Sequence, residues 1–257
     1  MIKETDKFLI LGYGQMGKDV AAFFTKKKIN FDIFDDSNKN DSTIELKNII
    51  SNNYNFLVKS PGIKNDHILV KLFNDDQVIN DMDILDVFKL AKTQIICITG
   101  TNGKTTIVQL VSDYLIKLGY ISKPCGNYGI SPLCYLFENL DFLVIELSSF
   151  QLDTIKNFHI DAGIILNISP DHLDFHGTFE KYMQSKLKMY SLSNGNIISL
   201  IKENGEEIEK PLIIQKFEVN KKFNPKNIYL VNEMLIMNNI ETSMICRDQY
   251  DGRENLK

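Results

Sequence analysis

Long apolar runs are missing from this sequence of 257 residues. No stretch approaches the roughly 18 residues that a membrane-spanning helix needs, which argues against an integral membrane protein. The charged start at 1–6 passes directly into a short apolar stretch and a glycine turn, without the apolar region and cleavage site of a signal peptide. We therefore expect a cytoplasmic protein.

Paired cysteines and arginines are scarce as well. The cysteines are Cys97, Cys125, Cys134 and Cys246. They show neither a CxxC spacing nor a nearby histidine typical of a zinc site, so isolated reduced thiols are expected. Arginine occurs only at 247 and 253, and the formal net charge is −4. Because DNA-binding proteins rely on arginine and on excess positive charge, no nucleic-acid partner is expected.

The composition that is present, 44% hydrophobic and 24% charged, is that of a globular protein with one large or two modest domains. A short apolar run, a glycine turn and a helical segment recur along the chain, which predicts βαβ units and parallel sheets. The first set has a strand at 8–11, a helix that buries Val20, Phe23 and Phe24, and a strand at 31–34.

A second set begins with a strand at 94–99 and a glycine loop, followed by strands at 142–147 and 162–166. The helix between loop and strands ends near Gly119, and its apolar positions fit a 3.6-residue period: Ile107, Val108, Leu110, Val111, Tyr114, Leu115 and Leu118. Because a complete phosphate-binding unit begins with the strand at 94–99, we place a domain boundary near residue 92, which gives domains at 1–91 and 92–257. Beyond about 190, hairpins are expected at 194–195 and 204–205, with short strands at 228–231 and 234–237.

Two glycine-rich loops could bind phosphates. Gly12-x-Gly14-x-x-Gly17 has the form of a dinucleotide-binding turn, although a cofactor-free turn explains many such matches. In the loop at 99–106, backbone amides could hold phosphates, Lys104 could neutralise them and Thr105 could bind Mg²⁺. The alternative for this second loop is a structural turn with an incidental lysine.

Two further candidates follow later strands. Glu146 closes an apolar run and could hold a metal opposite the phosphates, or could be a solvated strand-end glutamate. His172 could ligate a metal, or could be a packed or capping side chain. The predicted helix at 179–190 carries Lys181, Lys186 and Lys188, which could simply be solvated.

Taken together, GTNGKTT at 100–106, ELSSFQLD at 146–153, NISPDHLDFHGTFEKYMQSKLKMY at 167–190, SPGI at 60–63 and GNYG at 126–129 resemble the Mur ligases. The resemblance covers about residues 7–190. It implies an α/β fold: a Rossmann-like N-terminal domain, then a P-loop-type central domain that binds mononucleotide. SSFQL is similar to the members of this family that add D-glutamate.

The implied reaction belongs to cell-wall peptidoglycan synthesis. MgATP phosphorylates the carboxylate of UDP-N-acetylmuramoyl-L-alanine, and the amine of D-glutamate attacks the acyl phosphate to form an amide. The resemblance assigns ATP to Gly100, Thr101, Asn102, Gly103, Lys104, Thr105 and Thr106. It assigns one Mg²⁺ to Thr105 and Glu146, and a second to His172 and a carbamylated Lys186, with Lys104, Lys186 and His172 as catalytic residues. A monomer is implied.

The resemblance implies that the first domain binds the uridine diphosphate of the substrate and not a nicotinamide cofactor. The residues implied in substrate binding are Gln15, Met16, Asp35, Asp36, Ser60, Pro61, Gly62, Asn127 and Ser148. In the family a basic residue often follows the acidic position after the second strand, where this sequence has Ser37.

The family has three domains, and its second domain continues to a His-Asn motif that cannot occur here after residue 190. We therefore expect a truncated ligase that binds its UDP substrate with negligible turnover. Two other hypotheses remain at this stage: a non-catalytic nucleotide-binding protein descended from the ligase, and an NAD-dependent dehydrogenase built on the first glycine motif.

Overall fold

The computed structural model describes residues 2–50, 53–127, 129–194 and 196–199. The chain divides into two compact units. The first contains Met1–Lys89 together with Ser131–Phe137 and Thr154–Phe158, and the second contains Leu90–Ile130, Glu138–Asp153 and the chain from His159 on. The two short later segments lie with the first unit in this division, and the domains at 1–91 and 92–257 stay a prediction.

A parallel sheet in the order β2-β1-β3-β4 forms the centre of the first unit. Its strands are β1 (Lys7–Leu11), β2 (Asn30–Phe34), β3 (Phe56–Lys59) and β4 (Val78–Ile79), and its helices are α1 (Gln15–Lys27), α2 (Leu46–Ile49) and α3 (Asp81–Phe88). The chain leaves β1 toward β2 on one side and returns to β3 on the other. Ligands of open parallel sheets bind at such a reversal, beyond the carboxyl ends of the strands.

Aromatic packing holds α1 on this sheet. Val20, Phe23 and Phe24 are buried, which confirms the prediction for this helix. The Phe24 ring lies 4.6 Å from that of Phe8 in β1, measured between centroids, and the Phe23 ring lies 5.9 Å from that of Phe137. The segment at 131–137 thus packs against α1 of the first unit.

The segment at 154–158 is fixed to α3 by polar contacts. The buried Asn80 caps α3 and donates from Nδ2 to Thr154 Oγ1 at 3.0 Å. Asp83 Oδ1 accepts from the backbone amides of Lys156 and Asn157, at 3.0 Å each. Because a buried polar group left without a partner is costly, these contacts make the segment part of the unit.

A second parallel sheet, in the order β6-β7-β5-β8-β9, forms the centre of the other unit. Its strands are β5 (Gln94–Thr99), β6 (Ser122–Gly126), β7 (Phe142–Glu146), β8 (Ala162–Ile165) and β9 (Ile197–Ser199). Its helices are α4 (Lys104–Lys117), α5 (Ser149–Thr154), α6 (Leu173–His176), α7 (Phe179–Leu187) and α8 (Met189–Leu192). The strands predicted at 94–99, 142–147 and 162–166 are confirmed to within one residue.

The long helix α4 covers one face of this sheet through a buried cluster that includes Ile107, Val108, Val111 and Leu115. Leu118 differs from the prediction, because its side chain is 39% exposed. It follows the last helical residue, and the backbone turns away at Gly119, whose φ is +90°. The helical period therefore no longer decides the direction of this side chain.

The end of the described chain corrects two predictions. The helix expected at 179–190 is two helices, α7 and α8, with Lys188 between them. The hairpin expected at 194–195 is wrong, because β9 pairs in parallel with β8 and the turn joins α8 to β9. The features expected at 204–205, 228–231 and 234–237 lie outside the described residues.

The cysteines and the helices allow two further statements. Cys97, Cys125 and Cys134 are free thiols, and Cys246 lies outside the described residues. Over the ranges that the structure covers, no helix is long and apolar enough to span a membrane.

Candidate functional site

The loop at 99–104 joins the central strand β5 to α4. Gly103 has a φ of +81°, in the left-handed region that glycine adopts without strain, and α4 begins at the next residue. The first amides of a helix have no carbonyl partner within it and point out of its positive end. Lys104, Thr105 and Thr106 supply such amides here, so this end of α4 suits an anion.

Two lysines converge on the carbonyl groups of this loop. Lys104 Nζ donates to the carbonyl oxygens of Gly100 and Thr101, at 3.0 and 2.9 Å. Lys186 Nζ, from α7, also donates to Gly100 O at 3.0 Å. The Lys186 side chain is buried, and this burial, together with the nearby Lys104 ammonium, lowers the pKa of Lys186 to about 7. The side-chain nitrogens of Lys104 and Lys186 therefore both lie at the loop.

Glu146 lies at the same edge of the sheet, because it ends β7 and its register partner in β5 is Ile98. Its Oε2 accepts from Thr105 Oγ1 at 2.8 Å, and only 3% of the residue is exposed. The alternative of a solvated strand-end glutamate is therefore wrong. A Cβ at Gly126 would lie 2.3 Å from the Glu146 carbonyl oxygen, so only glycine allows β6 to approach here.

His172 lies outside this group of contacts. Its ring is 4.9 Å from that of Phe150 between centroids, and its Nε2 is 3.5 Å from Asp171 Oδ2. His172 occupies the N-cap position of α6 without a side-chain capping bond, and nearly half of its side chain is exposed. The Tyr182 ring lies near both His172 and Lys186. Its centroid is 6.3 Å from the centroid of the His172 ring and 4.8 Å from Lys186 Nζ.

His176 is the buried histidine of this region. Its Nε2 lies 3.0 Å from Ser149 Oγ, so it ties α6 to the start of α5. Burial lowers the pKa of His176, and the neighbouring His172 and Lys186 act in the same direction. A neutral imidazole is thus favoured at neutral pH.

Sequence reasoning did not single out Asn167, which follows β8. Its Oδ1 accepts from the backbone amides of Thr101 and Asn102, at 3.0 and 2.9 Å, and its Nδ2 donates to Asn102 O at 3.1 Å. Its position after a strand, at the same edge as the loop, was the available signal. The contacts themselves join residues 65 and 66 positions apart, which no local pattern shows.

In the first unit, the glycine motif forms a tight turn between β1 and α1. Gly12 has a φ of +89°, and a Cβ at Gly17 would lie 2.1 Å from the Gly12 carbonyl oxygen. Ser60 Oγ, after β3, donates to the same oxygen at 3.1 Å. Gln15 and Met16 begin α1 beside this turn, and Pro61 and Gly62 follow Ser60. These predicted substrate residues therefore lie together at the carboxyl ends of β1 and β3.

The acids after β2 are both engaged. Asp35 Oδ2 accepts from the amide of Tyr13 in the glycine turn, at 2.6 Å. Asp35 Oδ1 accepts from the amides of Ser37 and Asn38, and these three bonds lower the pKa of Asp35. Asp36 Oδ2 lies 2.6 Å from Nε2 of His67, a residue that sequence reasoning missed.

The last two predicted substrate residues belong to the second unit. Asn127 is exposed after β6, and its amide donates to the Glu146 carbonyl at 3.0 Å. Ser148 is buried, and its amide and hydroxyl both contact Gln151 Oε1 at 3.1 Å. Ser148 thus has a visible structural role at the start of α5.

The residues around the loop suit one hard cation. Among the described residues, no group of three or more His, Cys, Asp or Glu side chains could hold a metal ion. Thr105 and Glu146 nevertheless offer a hydroxyl and a carboxylate in direct contact. This donor set fits Mg²⁺, which commonly takes one or two protein ligands and completes its shell with water and phosphate oxygens.

Comparisons with known proteins all find Mur ligases. A profile of the Mur ligase middle domain matches residues 98–235, more than half of the chain. The UDP-N-acetylmuramoylalanine–D-glutamate ligase of Francisella tularensis subsp. novicida (strain U112) is 38% identical over 204 residues, covering 77% of this chain and 47% of the relative. That of subsp. tularensis (strain SCHU S4 / Schu 4) is 39% identical over 193 residues, covering 73% and 45%. The chain spans about half the length of these relatives.

A solved structure shows likeness of fold. The UDP-N-acetylmuramate:L-alanyl-gamma-D-glutamyl-meso-diaminopimelate ligase from Neisseria meningitides superposes with a TM-score of 0.51 at 14% identity, covering 76% of this chain and 71% of that one. At this identity the match concerns the parallel α/β architecture alone.

Proposed function

The chain belongs to the Mur ligase family, and from this premise we propose that it acts in the ATP-dependent addition of D-glutamate to UDP-N-acetylmuramoyl-L-alanine, a step of peptidoglycan precursor synthesis. The observation that carries the proposal is the cluster at the loop of the second unit. There Lys104, Lys186 and the Thr105–Glu146 pair surround one positive helix end. The activity named for the relatives supports the choice of substrates.

The proposed reaction explains why positive charge is concentrated here. A carboxylate becomes an electrophile only after phosphorylation, and phosphoryl transfer between two anions requires stabilisation of the charge on the phosphate oxygens. Lys104 would contact these oxygens, and Thr105 and Glu146 would hold the Mg²⁺. The ion, when bound, neutralises phosphate charge. The acyl phosphate would then react with the amine of D-glutamate.

Lys186 is the lysine that suits carbamylation. A neutral amine attacks CO₂ and forms a carbamate with release of a proton, and a pKa of about 7 leaves much of Lys186 neutral at neutral pH. Lys188 is only half-buried and contacts the Asp153 carbonyl at 3.4 Å, so it lacks this environment. The carbamate would give an oxygen ligand for a second Mg²⁺, together with His172.

We assign the UDP part of the substrate to a Rossmann-like domain at 1–91 and ATP to a P-loop-type domain at 92–257. The reversal of strand order beside β1 supports the first assignment, since the turn at Gly12 and Ser60 lies there. The loop at 99–106 supports the second. Membership of a ligase family gives the dehydrogenase hypothesis no support.

One pair of assays tests the proposal. Calorimetry with UDP-N-acetylmuramoyl-L-alanine and, separately, with MgATP measures binding, and phosphate release from MgATP and the UDP substrate, with and without D-glutamate, measures turnover. Binding of both nucleotide ligands is expected, whereas failure of either to bind would refute the proposal. D-Glutamate-dependent phosphate release distinguishes a working ligase from the non-catalytic hypothesis, and the expectation of negligible turnover stays a prediction for this assay.

A further inference from the structure

The loop at 99–104 is held from two sides. Its carbonyl groups accept bonds from Lys104 and Lys186. The backbone amides of Thr101 and Asn102 are held by the side chain of Asn167, and the Thr101 hydroxyl also contacts Ser169 and Tyr182. Asn167 comes from the end of β8, the strand next to β5 in the sheet.

The contacts of Asn167 fix both polar groups of its side chain. Thr101 N donates to Asn167 Oδ1 and also to the Asn167 backbone oxygen, at 3.0 Å each. Asn102 N donates to the same Oδ1 at 2.9 Å, and the Asn102 carbonyl accepts from Nδ2 at 3.1 Å. The amide group is therefore oriented by its partners, and the backbone at 101–102 is fixed in both directions.

This arrangement divides the amides of the loop into two sets. Those of Thr101 and Asn102 are used within the protein. Those of Lys104, Thr105 and Thr106 lie in the first turn of α4, where no helical carbonyl reaches them. A phosphate at the positive end of α4 would meet this second set first.

We propose that Asn167 is a positioning residue that shapes the loop at 99–104, so that nucleotide phosphate is held by the amides from Gly103 to Thr106 and not by those of Thr101 and Asn102. The inference rests on the proposed function and adds to it a determinant of the phosphate position. It also assigns Thr101 and Asn102 a different role from the one implied by the family resemblance.

The test uses the full chain with Asn167→Ala and a matched control, Gln109→Ala, which removes a side-chain amide from an exposed position of α4. Asn167→Ala removes three side-chain bonds and should weaken MgATP binding by about tenfold or more in calorimetry. Hydrogen exchange of the Thr101 and Asn102 amides, read by NMR, should accelerate by a similar factor. Gln109→Ala should change neither quantity.

NMR of the wild-type chain supplies a reading that a general loss of stability would not give. On titration with MgATP, the amide signals from Gly103 to Thr106 should shift most, while the Thr101 and Asn102 amides should stay protected from exchange. Loss of that protection on binding, or unchanged MgATP affinity in Asn167→Ala, would overturn the inference. Failure of the wild-type chain to bind MgATP would instead refute the proposed function. Slow exchange of the Thr101 and Asn102 amides would in that case still show that Asn167 holds this part of the loop.

Discussion

Two glycine-rich loops in this chain each follow an interior strand of a parallel sheet and lead into a helix, yet the charged side chains that contact their backbones are of opposite sign. The loop after β1 is held by the Asp35 carboxylate, which accepts from the amide of Tyr13. The loop after β5 is contacted by the ammonium groups of Lys104 and Lys186. The glycines provide the turn in both cases, and the two loops differ in the charged side chains that contact them.

Each unit contains a buried ionisable group with a strongly shifted pKa, an acid in the first and an amine in the second. In the first unit, burial and the nearby Asp83 and Asp19 raise the pKa of Asp81 to about 7, and Asp81 Oδ1 has no hydrogen-bond partner among the described residues. In the second unit, burial lowers the pKa of Lys186 to about 7. An acid with a raised pKa and a base with a lowered pKa make stability depend on pH in opposite directions.

The largest effect is expected at the cationic loop. Lys104→Met should weaken MgATP binding by about 100-fold, because it removes charge-assisted bonds to phosphate. The control is Lys117→Met, at the exposed last residue of α4. Calorimetry should show wild-type affinity for the control, and the same loss in both variants would contradict a specific role for Lys104.

The next effect concerns the first unit. The ionised form of Asp81 is disfavoured in the folded chain, so its contribution to stability is present below pH 4 and is lost as the pH rises through about 7. Asp81→Asn should therefore raise the free energy of unfolding by about 2 kcal/mol at pH 8 and by little at pH 4. Chemical denaturation at both values tests this, and an equal change at both would exclude titration of Asp81 as the cause.

The corresponding effect in the second unit has the opposite direction. The Lys186 ammonium is disfavoured in the folded chain, so stability falls as the pH drops through about 7. In buffer free of CO₂, Lys186→Met should stabilise the chain by about 1.5 kcal/mol at pH 6, and by less as the pH approaches 10. A larger gain at pH 10 than at pH 6 would contradict a lowered pKa for Lys186. The same variant should lose any carbamate signal in ¹³CO₂ NMR.

A smaller effect is expected from the metal ligand. Glu146→Gln keeps a partner for Thr105 but removes the negative charge, so the part of ATP affinity that depends on Mg²⁺ should fall about tenfold. Binding of ATP without Mg²⁺ should stay the same. The exposed Glu138 gives a matched Glu→Gln control, and an equal response of both variants to Mg²⁺ would argue against a metal at Glu146.

Local sequence patterns predicted the strands and helices, because these elements depend mainly on residues that are close together in the sequence. The apolar runs gave the strands, and the 3.6-residue period gave α4 up to Leu115. The period failed at Leu118, where the helix has already ended. The hairpin expected at 194–195 was wrong because β9, the described strand that follows α8, pairs in parallel with β8.

Contacts between distant residues were beyond local pattern. The contacts of Asn167 with the loop and the pairing of His67 with Asp36 join residues that are far apart in the sequence and meet only in the folded chain. The burial of Lys186, which its sequence neighbourhood left open, depends on the side of α7 that faces the loop. The inclusion of 131–137 and 154–158 in the first unit likewise needs the fold.

The most direct test of the central claim, that the two loops serve different ligands, is calorimetric titration of the wild-type chain with UDP-N-acetylmuramoyl-L-alanine in the absence and presence of saturating MgATP. We predict one site for each ligand and no displacement of one by the other. Competition between the two ligands for a single site would contradict it.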